Sequence, residues 1–261
     1  MLSLINDYST VTEIPGNGAT REQLARLYHR YYIAKQHATH KRVLEVACGT
    51  GMGLSYLAHT ASRVIGGDYT PNLLHIAHSC YQDRIPLLCL DAHHLPFHSE
   101  AFDLTIIFEA IYYLTDAEAF ITEARRILDK DGTLLICTVN KDWDEFAPSS
   151  FSIGYFSVPE LYTLLSQKGF TDLKFYGAFP TKTSSLRQMA VSLIRRLAVA
   201  FNLTPKTLTG RAYLKRIFYG NLTPLPSEIS EDMATLYPLE PIATSLSNKG
   251  YKIIYCTAQR P

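Results

Sequence analysis

The sequence predicts an α/β fold, a doubly wound and mostly parallel sheet of seven strands with a helical insertion before the last strand. Three observations lead to this prediction. Short apolar runs alternate with helical segments along most of the chain, which is typical of a parallel sheet covered by helices on both faces. One run, at residues 43–47, is followed at once by a glycine-rich turn and then a helical segment. Polar residues follow several strands, where open α/β sheets bind ligands.

The individual elements follow from hydrophobic periodicity and from the turn residues between them. A first helix is predicted at residues 21–35, because Thr20 can cap it and its apolar residues share a broad face. The seven strands are predicted at residues 43–47, 63–67, 85–90, 102–108, 133–139, 171–178 and 251–258. Further helices are predicted at residues 54–58, 71–81, 116–128, 159–168, 185–200, 206–219 and 239–248.

We expect a single domain, because 261 residues with 47% hydrophobic and 19% charged residues suit one globular unit with an insertion. Its parts are an N-terminal arm and lid helix (1–40), a core (41–179), a helical insertion or cap (180–238), and a final helix and strand (239–261). The tyrosines of the first helix are expected to pack on the sheet. Alternatively, one or two of them cover a ligand, or they contact a second copy in a homodimer.

Composition also limits the function and the compartment. The net charge of +1 disfavours nucleic acid as a partner. The five cysteines are scattered without a C-x-x-C pair, so neither a disulfide framework nor a zinc ribbon is expected and a reducing compartment fits. The sequence has no signal-peptide pattern and no apolar run of membrane-spanning length. We therefore expect a cytoplasmic protein.

The glycine-rich turn carries the first functional signal. Gly49, Gly51 and Gly53 stand between a buried strand and a helix, so a ligand can approach bare backbone and the helix N-terminus favours negative charge. Leu54 stands where the dinucleotide-binding pattern G-x-G-x-x-G needs its third glycine, and the Gly-Lys-Ser/Thr ending of the P-loop is absent.

Acids at the ends of the next two strands suggest how a nucleoside would be bound. Asp68 follows the glycine turn by about twenty residues, the distance at which a carboxylate holds a ribose diol in nucleoside-binding sheets. Its alternative role is to cap the next helix, although Thr70 can supply that cap. Asp91 can accept a hydrogen bond from an adenine amino group, and Tyr69 can stack on the base. A metal site at the nearby histidines is disfavoured, because no converging acids or thiolates accompany them.

Four motifs occur together in a fixed order. They are EVACGTG at residues 45–51, Asp68, Asp91-Ala92, and FDLTIIFEAIYYL at 102–114 followed by EARRILDKDGTLLI at 123–136. This set resembles the class I S-adenosylmethionine-dependent methyltransferases, in the branch that acts on small molecules. The resemblance covers residues 43–178 and the final strand. It implies a Rossmann-like sheet and S-adenosylmethionine as the methyl donor.

By this resemblance, the donor contacts fall at ten positions. Those at the methionine end are Glu45, Ala47, Gly49 and Gly51. The ribose is held by Asp68, and the adenine lies by Tyr69, Leu73, Asp91 and Ala92, with Phe108 touching the donor through its backbone.

The chain departs from the family at Tyr113, where small-molecule members often carry a histidine. A tyrosine, with an ordinary pKa of about 10, is a poor base at neutral pH. A base is needed only if the acceptor is a poorly acidic hydroxyl. The candidates are Glu109, Tyr113 and His29, in that order. The N/D-P-P-Y signature of DNA amino methylation is absent at residues 108–111.

The insertion is strongly basic. Between Leu173 and Ser227 there are nine Lys and Arg residues and no Asp or Glu. It is either a solvated lid over the acceptor pocket or a surface that recognises an anionic or lipid-linked acceptor, including one at a membrane surface. The expected activity is methyl transfer to oxygen or nitrogen of a small molecule such as a sugar, a lipid-linked compound or a natural-product scaffold. The alternatives are an RNA or protein methyltransferase and an inactive donor-binding subunit.

Overall fold

The computed structural model describes residues 7–181 and 222–261. Its main sheet has eight strands in the order β4-β3-β2-β5-β6-β10-β7-β9, and a small antiparallel ribbon joins β1 to β8. The strands are β1 (Gly18–Ala19), β2 (Arg42–Val46), β3 (Arg63–Asp68), β4 (Leu87–Cys89), β5 (Phe102–Phe108), β6 (Leu128–Val139), β7 (Thr171–Pro180), β8 (Thr223–Pro224), β9 (Glu240–Pro241) and β10 (Tyr251–Gln259).

The strands from β4 to β6 are parallel, and β10 runs antiparallel between β6 and β7. The predicted mostly parallel sheet is therefore confirmed, with β9 added at its edge. Five α-helices accompany the sheet in the described residues, namely α1 (Arg21–Ala38), α2 (Leu54–Ala58), α3 (Pro71–Tyr81), α4 (Ala117–Ile127) and α5 (Val158–Gln167). Helices α1 to α3 pack on one face and α4 and α5 on the other, so the sheet is covered on both sides.

Local sequence explains where the long helices begin. Thr20 accepts the N–H of Gln23 while the Gln23 side chain accepts the N–H of Thr20, which forms a complete capping box for α1. Ser157 and Glu160 form the same arrangement before α5. None of the helices in residues 7–181 and 222–261 has the length and apolar character needed to cross a membrane.

The prediction of a helix at residues 239–248 is wrong. Strand β9 stands at its start, paired antiparallel with Tyr176 and Gly177 of β7, and irregular chain follows. The open edge of β7 offers backbone partners to this segment, whereas Ser and Asn side chains at 244–248 compete with helical hydrogen bonds. The predicted helices 185–200 and 206–219, with most of the basic residues of the insertion, lie outside the described residues.

The burial of two tyrosines of α1 bears on the expectation that the tyrosines of the first helix contact a second copy. Tyr28 and Tyr31 are buried within the protein, so these tyrosines are not available for contacts with a second copy. Tyr28 packs against Tyr56 of α2, and its hydroxyl donates to Glu231 and accepts the Asp232 N–H. Tyr31 instead reaches the carboxyl ends of the strands, where the acids of β2, β3 and β5 also lie.

Candidate functional site

A cavity of about 590 Å³ lies at the carboxyl ends of β2, β3 and β5. Its walls come from the N-terminal arm, from one face of α1, and from the segments that follow these strands. Eleven of the predicted site residues line it, namely Glu45, Ala47, Gly49, Asp68, Tyr69, Leu73, Asp91, Ala92, Phe108, Glu109 and Tyr113. The sheet topology brings these residues together because parallel strands end at the same edge.

The glycine turn is shaped by left-handed backbone. Gly49 and Gly51 have φ values of +58° and +72°, a region that glycine enters without steric cost. Gly49 lines the cavity, but Gly51 lies behind it, where its carbonyl accepts the Tyr81 hydroxyl at 2.5 Å. The geometry therefore assigns Gly51 a role in forming the turn and does not place it against a ligand.

Glu45, at the base of the cavity, is a buried acid with one free oxygen. The residue is 1% exposed, and its Oε1 accepts the Tyr31 hydroxyl at 2.6 Å. Oε2 has no hydrogen-bond partner among the described residues. Burial raises the pKa of Glu45 to about 7, although the Tyr31 hydroxyl and the Arg30 charge oppose the rise. A buried unpartnered oxygen is costly, so the carboxylate is suited to a hydrogen-bond donor from a ligand.

Asp68 links two parts of the site. Its Oδ2 accepts the Gly49 N–H at 2.7 Å and its Oδ1 accepts the Thr70 N–H at 2.8 Å. Burial raises the pKa of Asp68, and these backbone hydrogen bonds oppose the rise. Each carboxylate oxygen can accept a second hydrogen bond, so both remain able to meet ligand hydroxyls. Thr70 occupies the cap position of α3, but its side chain makes no capping bond.

Asp91 is a third acid in the cavity lining, and His93 beside it holds its carboxylate. The Asp91 Oδ1 accepts from the His93 N–H at 2.9 Å and lies 2.5 Å from His93 Nδ1. The Asp116 N–H donates to His93 Nε2, so Nδ1 carries the ring proton. Partial burial would raise the pKa of Asp91, but the hydrogen bonds from His93 outweigh it and the pKa is lowered. Asp91 is thus a carboxylate held in place at the rim.

Glu109 and two arginines of α1, Arg26 and Arg30, also line the cavity. Glu109 has φ +51°, an uncommon conformation for a residue with a side chain, and Tyr112 donates to its Oε2 at 3.1 Å. Burial raises the pKa of Glu109, whereas the charges of Arg30 and Arg26 oppose the rise. Arg26 pairs with Glu22 and Arg30 with Glu13, rather than with Glu109.

Tyr113 lines the cavity but is poorly suited to act as a base. Its hydroxyl lies 2.6 Å from the Ser149 Oγ, and its ring packs on Tyr8 at 5.4 Å between centroids. Burial raises the pKa of Tyr113 further above its ordinary value. The side chain can orient an acceptor by a hydrogen bond.

His29 does not reach the cavity, and we correct its proposed role. The ring is fully buried, with Nδ1 2.7 Å from the Tyr255 hydroxyl and Nε2 2.7 Å from the Tyr237 carbonyl. A carbonyl only accepts, so Nε2 donates to it and Nδ1 accepts from Tyr255. Burial lowers the pKa of His29. It is a neutral core histidine on the side of α1 that faces the sheet.

The sequence analysis missed the cavity residues of the arm and of α1. They are Tyr8, Val11, Thr12, Glu13, Gln23, Arg26 and Arg30. The only available signal was the spacing of Gln23, Arg26 and Arg30, which places three polar side chains on one helical face. The alternative that one or two tyrosines of the first helix cover a ligand did not single out Tyr31 or its hydrogen bond to Glu45.

These features fit a nucleoside donor that carries an amino acid group. Asp68 ends strand β3 and Asp91 follows the neighbouring strand β4. Glu45 lines the same cavity, and its Oε2 has no partner among the described residues. The described residues contain no cluster of three or more His, Cys, Asp or Glu side chains that could hold a metal ion. Fold and site together define a nucleoside-binding α/β domain of the Rossmann-like type.

Comparison with known proteins shows what the chain is similar to. Residues 44–136 match the family described as "Methyltransferase domain". A probable S-adenosylmethionine-dependent methyltransferase of Mycobacterium tuberculosis is 30% identical over 162 residues, which are 58% of each chain. The chain is thus similar to S-adenosylmethionine-dependent methyltransferases over part of its length. The alignment spans less than two thirds of that relative.

Two further proteins are similar to this chain in sequence or in fold. The phthiotriol/phenolphthiotriol dimycocerosates methyltransferase of Mycobacterium leprae is 36% identical over 112 residues, 41% of each chain. The crystal structure of a methyltransferase from Thermotoga maritima, described as a possible histamine N-methyltransferase, superposes with a TM-score of 0.59. It covers 92% of this chain and 91% of its own at 19% identity, which is evidence for the fold.

Proposed function

We propose that this protein transfers the methyl group of S-adenosylmethionine to oxygen or nitrogen of a small-molecule acceptor. The observation that carries the proposal is the placement of Glu45, Asp68 and Asp91 around one cavity, with the Oε2 of Glu45 free among the described residues. A donor with a ribose diol, an adenine amino group and a methionine ammonium offers hydrogen-bond donors to all three acids.

Each part of the cavity has a distinct task toward the donor. Asp68 would hold the ribose hydroxyls, Asp91 and Ala92 would meet the adenine edge, and Glu45 would receive the ammonium. When bound, the donor supplies a sulfonium methyl group that is already activated for displacement. The protein then has to hold the two reactants in the geometry of attack, which lowers the activation barrier of methyl transfer. It also has to exclude water from the reaction.

The part of the cavity that Glu109, Arg26 and Arg30 line is suited to an acceptor. Glu109 is the candidate base, because it lines the cavity and burial raises its pKa above that of an ordinary glutamate, which makes its carboxylate more basic. Its Oε1 or Oε2 would take the proton that the acceptor hydroxyl or amine releases. Tyr112 donates to Oε2 and so holds the carboxyl group in place.

The arginines of α1 support an anionic acceptor. The Nε atoms of Arg26 and Arg30 are buried and have no partner among the described residues, and both side chains line the cavity. A guanidinium has five N–H donors in a planar arrangement that matches carboxylate or phosphate. An acceptor that carries such a group near its reacting atom would use these donors.

Donor binding is tested by titration calorimetry with S-adenosylhomocysteine. We expect saturable binding to the wild type, and binding at least about tenfold weaker for Asp68→Ala, because hydrogen bonds to a charged group contribute about 1.5–3 kcal/mol. Asp83→Ala, which changes an exposed acid, is the matched control. Absence of heat in the wild type, or unchanged affinity in Asp68→Ala, would sink the proposal.

The acceptor class is tested with pairs of hydroxy acids and their carboxamides, following formation of S-adenosylhomocysteine. We expect turnover to favour the acid of each pair, and we expect Arg26→Met to remove the preference. Arg21→Met, on the exposed side of the same helix, is the control. Equal turnover of acid and amide by the wild type would exclude an anionic acceptor.

A further inference from the structure

Tyr31 is wedged between the glycine turn and the sheet. Its ring is 3% exposed and packs edge-on against Phe108, with 5.4 Å between the ring centroids. On the other side, a Cβ atom added to Gly53 would stand 2.1 Å from the Tyr31 Cε1. The ring therefore occupies the space that the missing side chain of Gly53 leaves, and its direction is fixed by packing on both sides.

The fixed ring aims its hydroxyl at Glu45. The hydroxyl donates to Oε1 at 2.6 Å, and Glu45 itself is 1% exposed. With Oε1 bound in this way, Oε2 is the oxygen that stays without a partner among the described residues, and Glu45 lines the cavity. Tyr31 thus selects which carboxylate oxygen is left for a ligand.

We propose that Tyr31 is a positioning residue that holds Glu45 ionised and presents its free oxygen to the ammonium group of the bound donor. The inference rests on the proposed function, since it needs the donor to bind here. It adds a residue of α1 to the binding machinery, so that the first helix, the glycine turn and strand β2 form one unit.

The groups that face Glu45 determine how its charge responds to pH. Tyr31 and Arg30 come from α1, Asp68 from the end of β3, and Cys48 from the glycine turn. Burial raises the pKa of Glu45 to about 7, the Tyr31 hydrogen bond and the Arg30 charge lower it, and the Asp68 charge raises it. Removing the Tyr31 hydroxyl therefore moves the pKa upward and leaves less carboxylate at neutral pH.

The test is the affinity for S-adenosylhomocysteine, measured by titration calorimetry between about pH 5.5 and pH 8. For the wild type we expect affinity to increase as pH rises through the pKa of Glu45. In Tyr31→Phe, which keeps the ring, the increase should move to higher pH, and affinity at pH 7 should fall about tenfold. Glu45→Gln should bind weakly with that pH dependence lost. Tyr32→Phe, the neighbouring tyrosine outside the cavity lining, should match the wild type.

A double-mutant cycle separates positioning from general packing. If Tyr31 acts through Glu45, adding Tyr31→Phe to Glu45→Gln changes the affinity no further. An unshifted pH profile in Tyr31→Phe, or a full additional loss in the double variant, overturns the inference while the proposed function stands. Absence of binding by the wild type overturns both, so the two failures are distinguishable.

Discussion

The Asp68 carboxylate accepts the backbone N–H of Gly49 at 2.7 Å. This hydrogen bond joins the tip of β3 to the glycine turn after β2, so the acid expected to hold the ribose also fixes the loop beside it. Ligand binding and loop stability therefore depend on the same side chain.

We predict that Asp68→Ala lowers the free energy of unfolding as well as the donor affinity. The Gly49 and Thr70 N–H groups lose their acceptor, and a buried unpaired donor costs about 1–3 kcal/mol. Urea unfolding followed by circular dichroism measures the change, with Asp83→Ala as control. A variant as stable as the wild type would mean that water replaces the carboxylate without cost.

Gly53→Ala should be damaging although the change is a single methyl group. The new Cβ would meet the Tyr31 ring at 2.1 Å, so the ring and α1 must move. We expect a loss of about 1–3 kcal/mol in stability, as for other overpacked cores, together with weaker binding of S-adenosylhomocysteine. Gly154→Ala is the matched control, because nothing lies within 4 Å of its added Cβ. Equal melting temperatures for the two variants would contradict the packing of Tyr31 on the turn.

His29→Leu should affect stability and leave donor affinity unchanged. The Tyr237 carbonyl and the Tyr255 hydroxyl lose a buried partner, which costs about 1–3 kcal/mol. His75→Leu, at an exposed position of α3, should change stability little. A stable His29→Leu protein that no longer binds S-adenosylhomocysteine would restore His29 to the site.

The pH dependence of stability offers a second test of His29. Its folded pKa lies below the ordinary value of 6.5, so the stability it contributes is present above that value and is lost as pH falls through the folded pKa. The wild type should therefore lose stability toward acid pH more steeply than His29→Leu. Urea unfolding at pH 7 and pH 5 measures this difference, and parallel profiles would contradict it.

Glu109 should show the opposite pH dependence. Its folded pKa lies above the ordinary 4.5, so its contribution to stability is present below 4.5 and is lost as pH rises through the folded pKa. We expect Glu109→Gln to lose less stability than the wild type between pH 5 and pH 8, with exposed Glu240→Gln unchanged. If the acceptor needs a base, turnover should also fall about a hundredfold or more. If the stability of Glu109→Gln depends on pH in the same way as that of the wild type, the Glu109 carboxyl group is exposed to solvent and its pKa is not raised by burial.

The strand tips could be predicted from the sequence because their signals are local. An apolar run that stops at glycine or at an acid defines both the strand and the residue at its end, as at Asp68 and Glu109. Parallel topology then brings these ends to one edge without any knowledge of side-chain packing.

The role of α1 could not be obtained in the same way. His29 and Arg30 are adjacent in sequence, but neighbours on an α-helix point about 100° apart. One therefore enters the core and the other the cavity, and only the docking of the helix decides which. The wrong helix at 239–248 has a related cause, because the partner of β9 is the edge of β7, more than sixty residues away in sequence.

The position of β10 affects how the protein must be made. Residues 253–259 pair with β6 and residues 251–259 pair with β7, so β10 fills the gap between two strands that are synthesised before it. During translation β6 and β7 would leave the ribosome before β10, with unpaired backbone N–H and C=O groups along the edges that β10 later covers. Such edges can pair with other chains and cause aggregation. The sheet would therefore be completed only after residues 251–259 have left the ribosome, and truncations or bulky insertions within β10 would yield insoluble material.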